Sequence, residues 1–333
     1  MNTKFQQITQ LALVLIQIIF IQLFTFGTAM SQSAYPFKPI KLLVPNAAGG
    51  AADITARTLG QKLSESLGYQ VIIENKPTAG GIAAAEQVAK SDPDGHTLLL
   101  ISSGTAVSAA LFKSLPFDTL KDFTPITKLA TFDLVIATAE NSKFKSIAEL
   151  IAFAKNNPGK LNIGTPQIGT TQNLAAELFL STAGIAAQIV PFNGTPPVIN
   201  ALRGKEIDAM IDILGPLMPQ IKAGALKPLA LMGDRRFHLL TDTPVLHELG
   251  GNFSQLSVSS WNGLAAPAKT PKETITKLNS AVQNALNSKE FIAKLSELNV
   301  TVQGSTVEQA YDLLSNDIKR WKMVIEIAKI ERQ

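Results

Sequence analysis

Lys41-Leu-Leu-Val-Pro-Asn-Ala-Ala-Gly-Gly-Ala-Ala-Asp53 sets a pattern that the rest of the chain repeats. Residues 41–45 read as a short buried strand. A run of small residues follows, and Asp53 can cap a helix that turns Ile54, Leu59, Leu63 and Leu67 inward. Gly68 is the expected stop of that helix. A second strand is predicted over 71–73, a second, alanine-rich helix opens at Thr78-Ala-Gly-Gly81, and a third strand spans 97–101 after the turn Asp92-Pro-Asp-Gly95. Strands alternating with helices of about 10–15 residues predict a mostly parallel sheet covered on both faces.

The pattern then restarts. Strands are predicted over 134–137, 161–163, 189–192, 207–213 and 228–232, with helices from Ser146 to Asn156 and over 172–183. After a strand at 261–265 the chain turns helical, over 272–286, 289–298 and 307–330. Two α/β units in series predict two lobes, and the helical tail is expected to pack back on the first.

Length and composition narrow the classes. At roughly 100–200 residues per domain, 333 residues imply two domains or one large one. With 46% hydrophobic residues and a net charge of +4, the chain can build sizeable cores and is not disordered. It has no cysteine, which excludes disulfides, thiolate metal sites and cysteine nucleophiles. Residues 1–30 read as an export signal: one cation, Lys4, precedes a 16-residue apolar run, Leu11 to Phe26, and Gly27-Thr28-Ala29 offers a cleavage site. That run carries Gln17 and Gln22 and falls short of the about 20 apolar residues of a membrane span.

Familiar catalytic patterns are missing. His96, His238 and His247 have no metal-ligand spacing, and there is no Gly-x-Ser-x-Gly elbow, P-loop or dinucleotide fingerprint. No catalytic residue, metal or cofactor is predicted. With 6% aromatic residues and scattered lysines, nucleic acid is not an expected partner. What remains is three strand-to-helix turns rich in small and hydroxyl residues: Asn46–Asp53, Gly164–Gln172 and Phe192–Thr195. In open parallel sheets ligands bind at the carboxyl ends of strands, and a helix N-terminus there offers unpaired N–H groups to an anion. Ser102-Ser103-Gly104, at the end of another strand, is a further ligand-binding candidate.

The chain also resembles the extracytoplasmic solute receptors of the tripartite tricarboxylate transporter system, the Bug-type receptors, from about Tyr35 to Trp321. Early marks are Tyr35-Pro-x-Lys-Pro-Ile40, Val44-Pro-x-Ala-Ala-Gly-Gly50 with Asp53 and Arg57, Glu74-Asn-Lys-Pro-x-Ala-Gly-Gly81 and Asp92-Pro-Asp-Gly-x-Thr-Leu-Leu99. Later come Leu174-Ala-Ala-Glu-Leu-Phe179, Val190-Pro-Phe-x-Gly194, Thr243-Pro-Val-Leu-His-Glu-Leu-Gly250 and Trp261-Asn-Gly-Leu-Ala-Ala-Pro267.

The resemblance implies an α/β, two-lobed periplasmic binding protein of type II, a Venus flytrap. Lobe 1 would comprise 35–132 plus 255–333 and lobe 2 residues 133–254, with crossing strands near Leu134 and Trp261. It implies a small carboxylate ligand, membrane transporter subunits as partners, a periplasmic location and a monomer. By position it nominates Asn46, Ala47, Ala48, Gly49, Gly50, Ala51 and Asp53 in the first loop, and Thr165, Gly169, Thr170 and Thr171 in the facing one. Ser103 would line the lobe 1 side, and Asn193, Gly194, Thr195 and Asp212 the lobe 2 side. Asn46 stands where the family usually has an aromatic residue, Ala51-Ala52 replace a common Pro-Thr, and Asn173 replaces a frequent histidine. The alternatives are a ligand-sensing module for a membrane signalling partner, and an enzyme on the same scaffold, for which Asp53 and Asp212 are the obvious cleft carboxylates.

Overall fold

The computed structural model describes residues 35–296 and 300–333. The segment assigned to export lies outside them, as does the end of the helix expected over 289–298. The chain begins with β1 (Ile40–Val44), α1 (Ala51–Leu67), β2 (Val71–Asn75), a 3-10 turn at Ala79–Gly81, α2 (Ile82–Ala89), β3 (Thr97–Ser102) and α3 (Ser103–Leu111). β1 pairs in parallel with both β2 and β3. Gly68 ends α1 at φ +74°, where its N–H reaches the Ser64 carbonyl at 3.2 Å, the left-handed stop a glycine allows.

Next comes β4 (Phe123–Ala139), 17 residues long. It is followed by α4 (Ile147–Asn156), β5 (Asn162–Thr165), α5 (Thr171–Ala183), β6 (Gln188–Pro191), α6 (Thr195–Arg203), β7 (Ala209–Ile213), α7 (Leu214–Lys222) and β8 (Leu226–Leu231). Here β5 is parallel to β6 and β7. The chain closes with β9 (Ser259–Pro267), α8 (Lys272–Leu286), α9 (Lys289–Ser296), β10 (Val300–Val302) and α10 (Val307–Ile327).

The strands join in the order β2-β1-β3-β9-β4-β7-β5-β6, with β8 and β10 also on β4. Both outer ends are parallel, as the alternation predicts, but every pairing of β4 and β9 is antiparallel. These two strands carry the chain between halves, so they run against the strands that the helices connect. β4 changes partners along its length: Phe123 to Asp133 pair with β9, and Leu134 to Ala139 with β7 and β8. The return path is tied there too, by Met232 N–H to Leu134 O at 2.9 Å and Val258 N–H to Met232 O at 2.7 Å.

The first part of β4 escapes a sequence reading because Pro125 interrupts it. The proline is tolerated because the register slips between Pro125 and Thr127, a bulge where no ladder donor is needed. Similarly, α7 carries Pro216 and Pro219 yet forms, with Leu214, Leu217 and Met218 buried. The helical tail covers the first half-sheet, α10 lying on α3 and β4 and α8 on α1. Phe132, on β4 beside β10, is 1% exposed. Phe132→Ala should cost about 3–5 kcal/mol by urea denaturation.

Candidate functional site

The strand ends of both half-sheets face one cavity, with about 490 Å³ of open space. Five helix N-termini reach its wall. Gly50, Ala51 and Ala52 come from the start of α1, and Ser102 and Gly104 from α3. Thr170, Thr171 and Gln172 come from α5, Gly194 and Thr195 from α6, and Ile213 from the residue before α7. No side chain of the capping residue accepts a hydrogen bond at α1, α6 or α7, so their first-turn amides carry no side-chain cap. At α3 and α5, Ser102 and Thr170 cap Gly104 N–H and Asn173 N–H. Among the described residues lining the cavity, none is charged.

Of the residues nominated from sequence, Asn46, Ala47, Gly50, Ala51, Thr170, Thr171, Gly194 and Thr195 line the cavity. The others stand behind or beside it. Ala48 and Gly49 are on the solvent side of their loop. Asp53 is not the helix cap but the third helical residue; its carboxylate reaches back to Gly49 N–H at 3.0 Å and pairs with Arg57 at 3.0 Å. Arg57 passes the contact to Asn75 Oδ1, and Asn75 Nδ2 donates to Asn46 O, each at 3.0 Å, so this chain braces the first loop from outside. Burial opposes the charge on Asp53, but Arg57, Gly49 N–H and Asn75 together hold its carboxyl below the ordinary range.

Ser103 turns away from the cavity, its Oγ accepting Trp261 N–H at 3.1 Å. Thr165 faces inward to its own loop, donating to Pro166 O at 2.9 Å and accepting from Asn173 Nδ2 at 3.0 Å. Asn193 is exposed at the rim, where it accepts from Gln167 Nε2 at 2.9 Å. Asp212 is fully buried behind Gln172 and Ile213; Oδ1 accepts from Gln172 Nε2 at 3.0 Å and Ile213 N–H at 2.7 Å, while Oδ2 completes no hydrogen bond. Burial pushes its carboxyl up to about 6 against those bonds and a lesser contribution from Thr195. Neither carboxylate required by the enzyme alternative therefore lies on the wall.

Sequence reasoning missed Ile213, Ser260 and Asn262. The signal was present for two of them: Ser260 and Asn262 are polar residues two apart on a strand, so both point to one face while Trp261 points to the other. Trp261 packs behind that face, its Nε1–H donating to Asp317 at 2.9 Å. Asn262 is 3% exposed and its Nδ2 has no acceptor, although it lines the cavity.

The two half-sheets also touch directly around the cavity. Gly80 N–H donates to Ile168 O at 2.9 Å, and Ser108 Oγ reaches both Gly80 O, at 2.9 Å, and Gly169 O, at 3.2 Å. Gly169 has φ +81°, and a Cβ there would lie 2.8 Å from Gly80 Cα. Opposite, a Cβ on Gly194 would lie 2.5 Å from Ala47 Cβ. Two glycines thus let the two sides approach closely, Gly169 against the main chain of Gly80 and Gly194 against the methyl of Ala47.

Residues 55–330 match the family model described as tripartite tricarboxylate transporter family receptor. The chain belongs to that receptor family. The periplasmic binding protein BugD is 30% identical, with 90% of this chain and 100% of that one covered and a TM-score of 0.86. A Rhodopseudomonas palustris protein solved with adipate is 30% identical, covers 89% and 99%, and has a TM-score of 0.85. MatC from the same species, with bound malate, is 30% identical, covers 87% and 100%, and has a TM-score of 0.82. The resemblance read from the ordered motifs and the two-lobed α/β fold are both borne out.

Two expectations follow from the wall of this cavity. The folded state binds a proton on Asp212 more readily than the unfolded chain between about pH 3.8 and 6, so stability falls as pH rises through that window. Asp212→Asn should melt progressively higher than the unmodified protein from pH 4 to 7, by about 3 kcal/mol at the upper end; melts run in parallel across that range read it. Gly169→Val, which places a branched side chain against Gly80, should enlarge the radius of gyration in small-angle scattering. It should also weaken ligand binding about tenfold or more.

Proposed function

We propose that the protein is an extracytoplasmic receptor that captures a small carboxylate in the cleft and presents it to a membrane transporter of the tripartite tricarboxylate type. The observation that carries this reading is the unspent Asn262 amide in a cavity reached by five helix N-termini, with no charged side chain among the described residues that line it. A buried donor left without an acceptor costs about 1–3 kcal/mol, a cost that a ligand oxygen removes. Open helix N-termini supply partial positive charge without a counter-ion, which suits a carboxylate better than a neutral solute. The adipate and malate carried by two related structures agree with that chemistry.

Function then follows from closure. In the proposed lobe division, 35–132 plus 255–333 against 133–254, the tips of α1 and α3 belong to one lobe and those of α5, α6 and α7 to the other. A ligand held from both sides completes bonds that the open form lacks, so it shifts the population to the closed form. The closed outline is what the membrane partner recognises, in the periplasm, and no bond of the ligand is made or broken.

A thermal-shift screen over mono-, di- and tricarboxylates tests the reading, because a ligand bound to the native state must raise the melting temperature. At least one acid should do so; a flat response to all of them would refute carboxylate capture. Asn262→Leu should weaken the best acid about tenfold or more while leaving the unliganded melting temperature equal or higher.

A further inference from the structure

Gln172 lines the cavity at the start of α5, and Asp212 lies behind it. Asp212 is 0% exposed, and an ionised carboxylate only accepts hydrogen bonds. Gln172 Nε2 donates to its Oδ1 at 3.0 Å, beside Ile213 N–H at 2.7 Å. Turned the other way, the amide would set its oxygen against the carboxylate, lone pair to lone pair, where no water can intervene. The direction of this amide is therefore imposed by the chemistry of its partner. Gln172 Oε1 accepts no hydrogen bond among the described residues and is not sealed from solvent, so it is the open end of the amide.

No other side-chain acceptor on the wall is held in this way. The hydroxyls of Ser102, Thr171, Thr195 and Ser260 rotate to donate or accept, and that of Thr170 is spent on Gln167 O. Gln167 gives its own Nε2 to Asn193 Oδ1 at 2.9 Å, but Asn193 is an exposed amide that is free to turn. Asn262 has the opposite sense, with a buried Nδ2 left to donate. The wall thus combines a free donor at Asn262 with a pinned acceptor at Gln172. A plain carboxylate satisfies the first and leaves the second without a donor once closure removes its water. A hydroxyl on the same ligand satisfies both. An ammonium group suits the place less well, because no carboxylate lines the cavity and helix N-termini repel a cation.

We infer that Asp212 is a positioning residue: by holding the Gln172 amide with its oxygen towards the cavity, it makes the receptor select hydroxy acids over the same acids without the hydroxyl. The inference rests on carboxylate capture in the cavity and adds what the rest of the ligand must carry. Gln172 Oε1 receives the ligand O–H, and Asp212 acts only through Gln172.

Titration calorimetry at about pH 8, above the range in which Asp212 takes up a proton, tests it on matched pairs. The pairs are lactate with propionate, malate with succinate, and citrate with tricarballylate. In at least one of them the hydroxy acid should bind about tenfold or more tighter, as expected when a buried acceptor gains its donor. Gln172→Met keeps the length of the side chain without its amide and should bring that pair within about threefold. Asp212→Leu leaves Gln172 in place but unpinned, and should do the same. A merely structural role for Asp212 would shift both members together and preserve their ratio. Equal binding within every pair on the unmodified chain, or a ratio that survives either substitution, would overturn the inference while leaving carboxylate capture intact. Binding of none of these acids would remove both. If Asp212→Leu fails to fold, Gln172→Met and the unmodified chain still decide.

Discussion

The structure depends on a constraint of backbone geometry: the first amides of a helix have no partner inside the helix. Most proteins meet it with side-chain caps or water. Here several helices start at the same place, because parallel strands in both half-sheets end there and each hands the chain to a helix. β4 aligns the two sets of ends, since one continuous strand is hydrogen-bonded into both half-sheets. Unpaired donors are thereby concentrated in one small volume.

Side chains near this volume mostly brace it and do not occupy it. Asp53, Arg57 and Asn75 hold the first loop from outside; Thr165 and Asn173 hold the second; Ser103 ties the start of α3 to β9. Charge is kept off the wall in two ways. Asp53 is neutralised by an adjacent guanidinium, while Asp212 is walled off behind Gln172 and becomes easier to protonate. A full cation on the wall would bind many anions indiscriminately, whereas amides at fixed positions reward a particular arrangement of oxygens.

Much of this was readable in the sequence, because the signals are local. The run from Lys41 to Asp53 announces strand, turn and helix through composition alone, and Gly68 and Ser146 mark helix boundaries by chemistry specific to those positions. What was not readable depends on partners distant in the chain. Pro125 argues against a strand until the bulge opposite β9 is known, and the prolines of α7 hide a helix that its buried leucines stabilise. In the site, direction decided the outcome: Ser102 and Ser103 are neighbours, yet one faces the cavity and the other β9. Likewise Asn262 becomes a site residue only once the register of β9 fixes which face it shares with Ser260.

The hydrogen bond between Gly80 and Ile168 joins main-chain atoms, and neither residue lines the cavity. Its contribution to holding the halves together is accordingly a constant, the same whichever molecule is enclosed. A constant of this kind multiplies every association constant by one factor and cancels from any ratio between two solutes. Descendants of this chain can therefore change what they carry by altering Asn46 or Asn262 without having to rebuild the clasp.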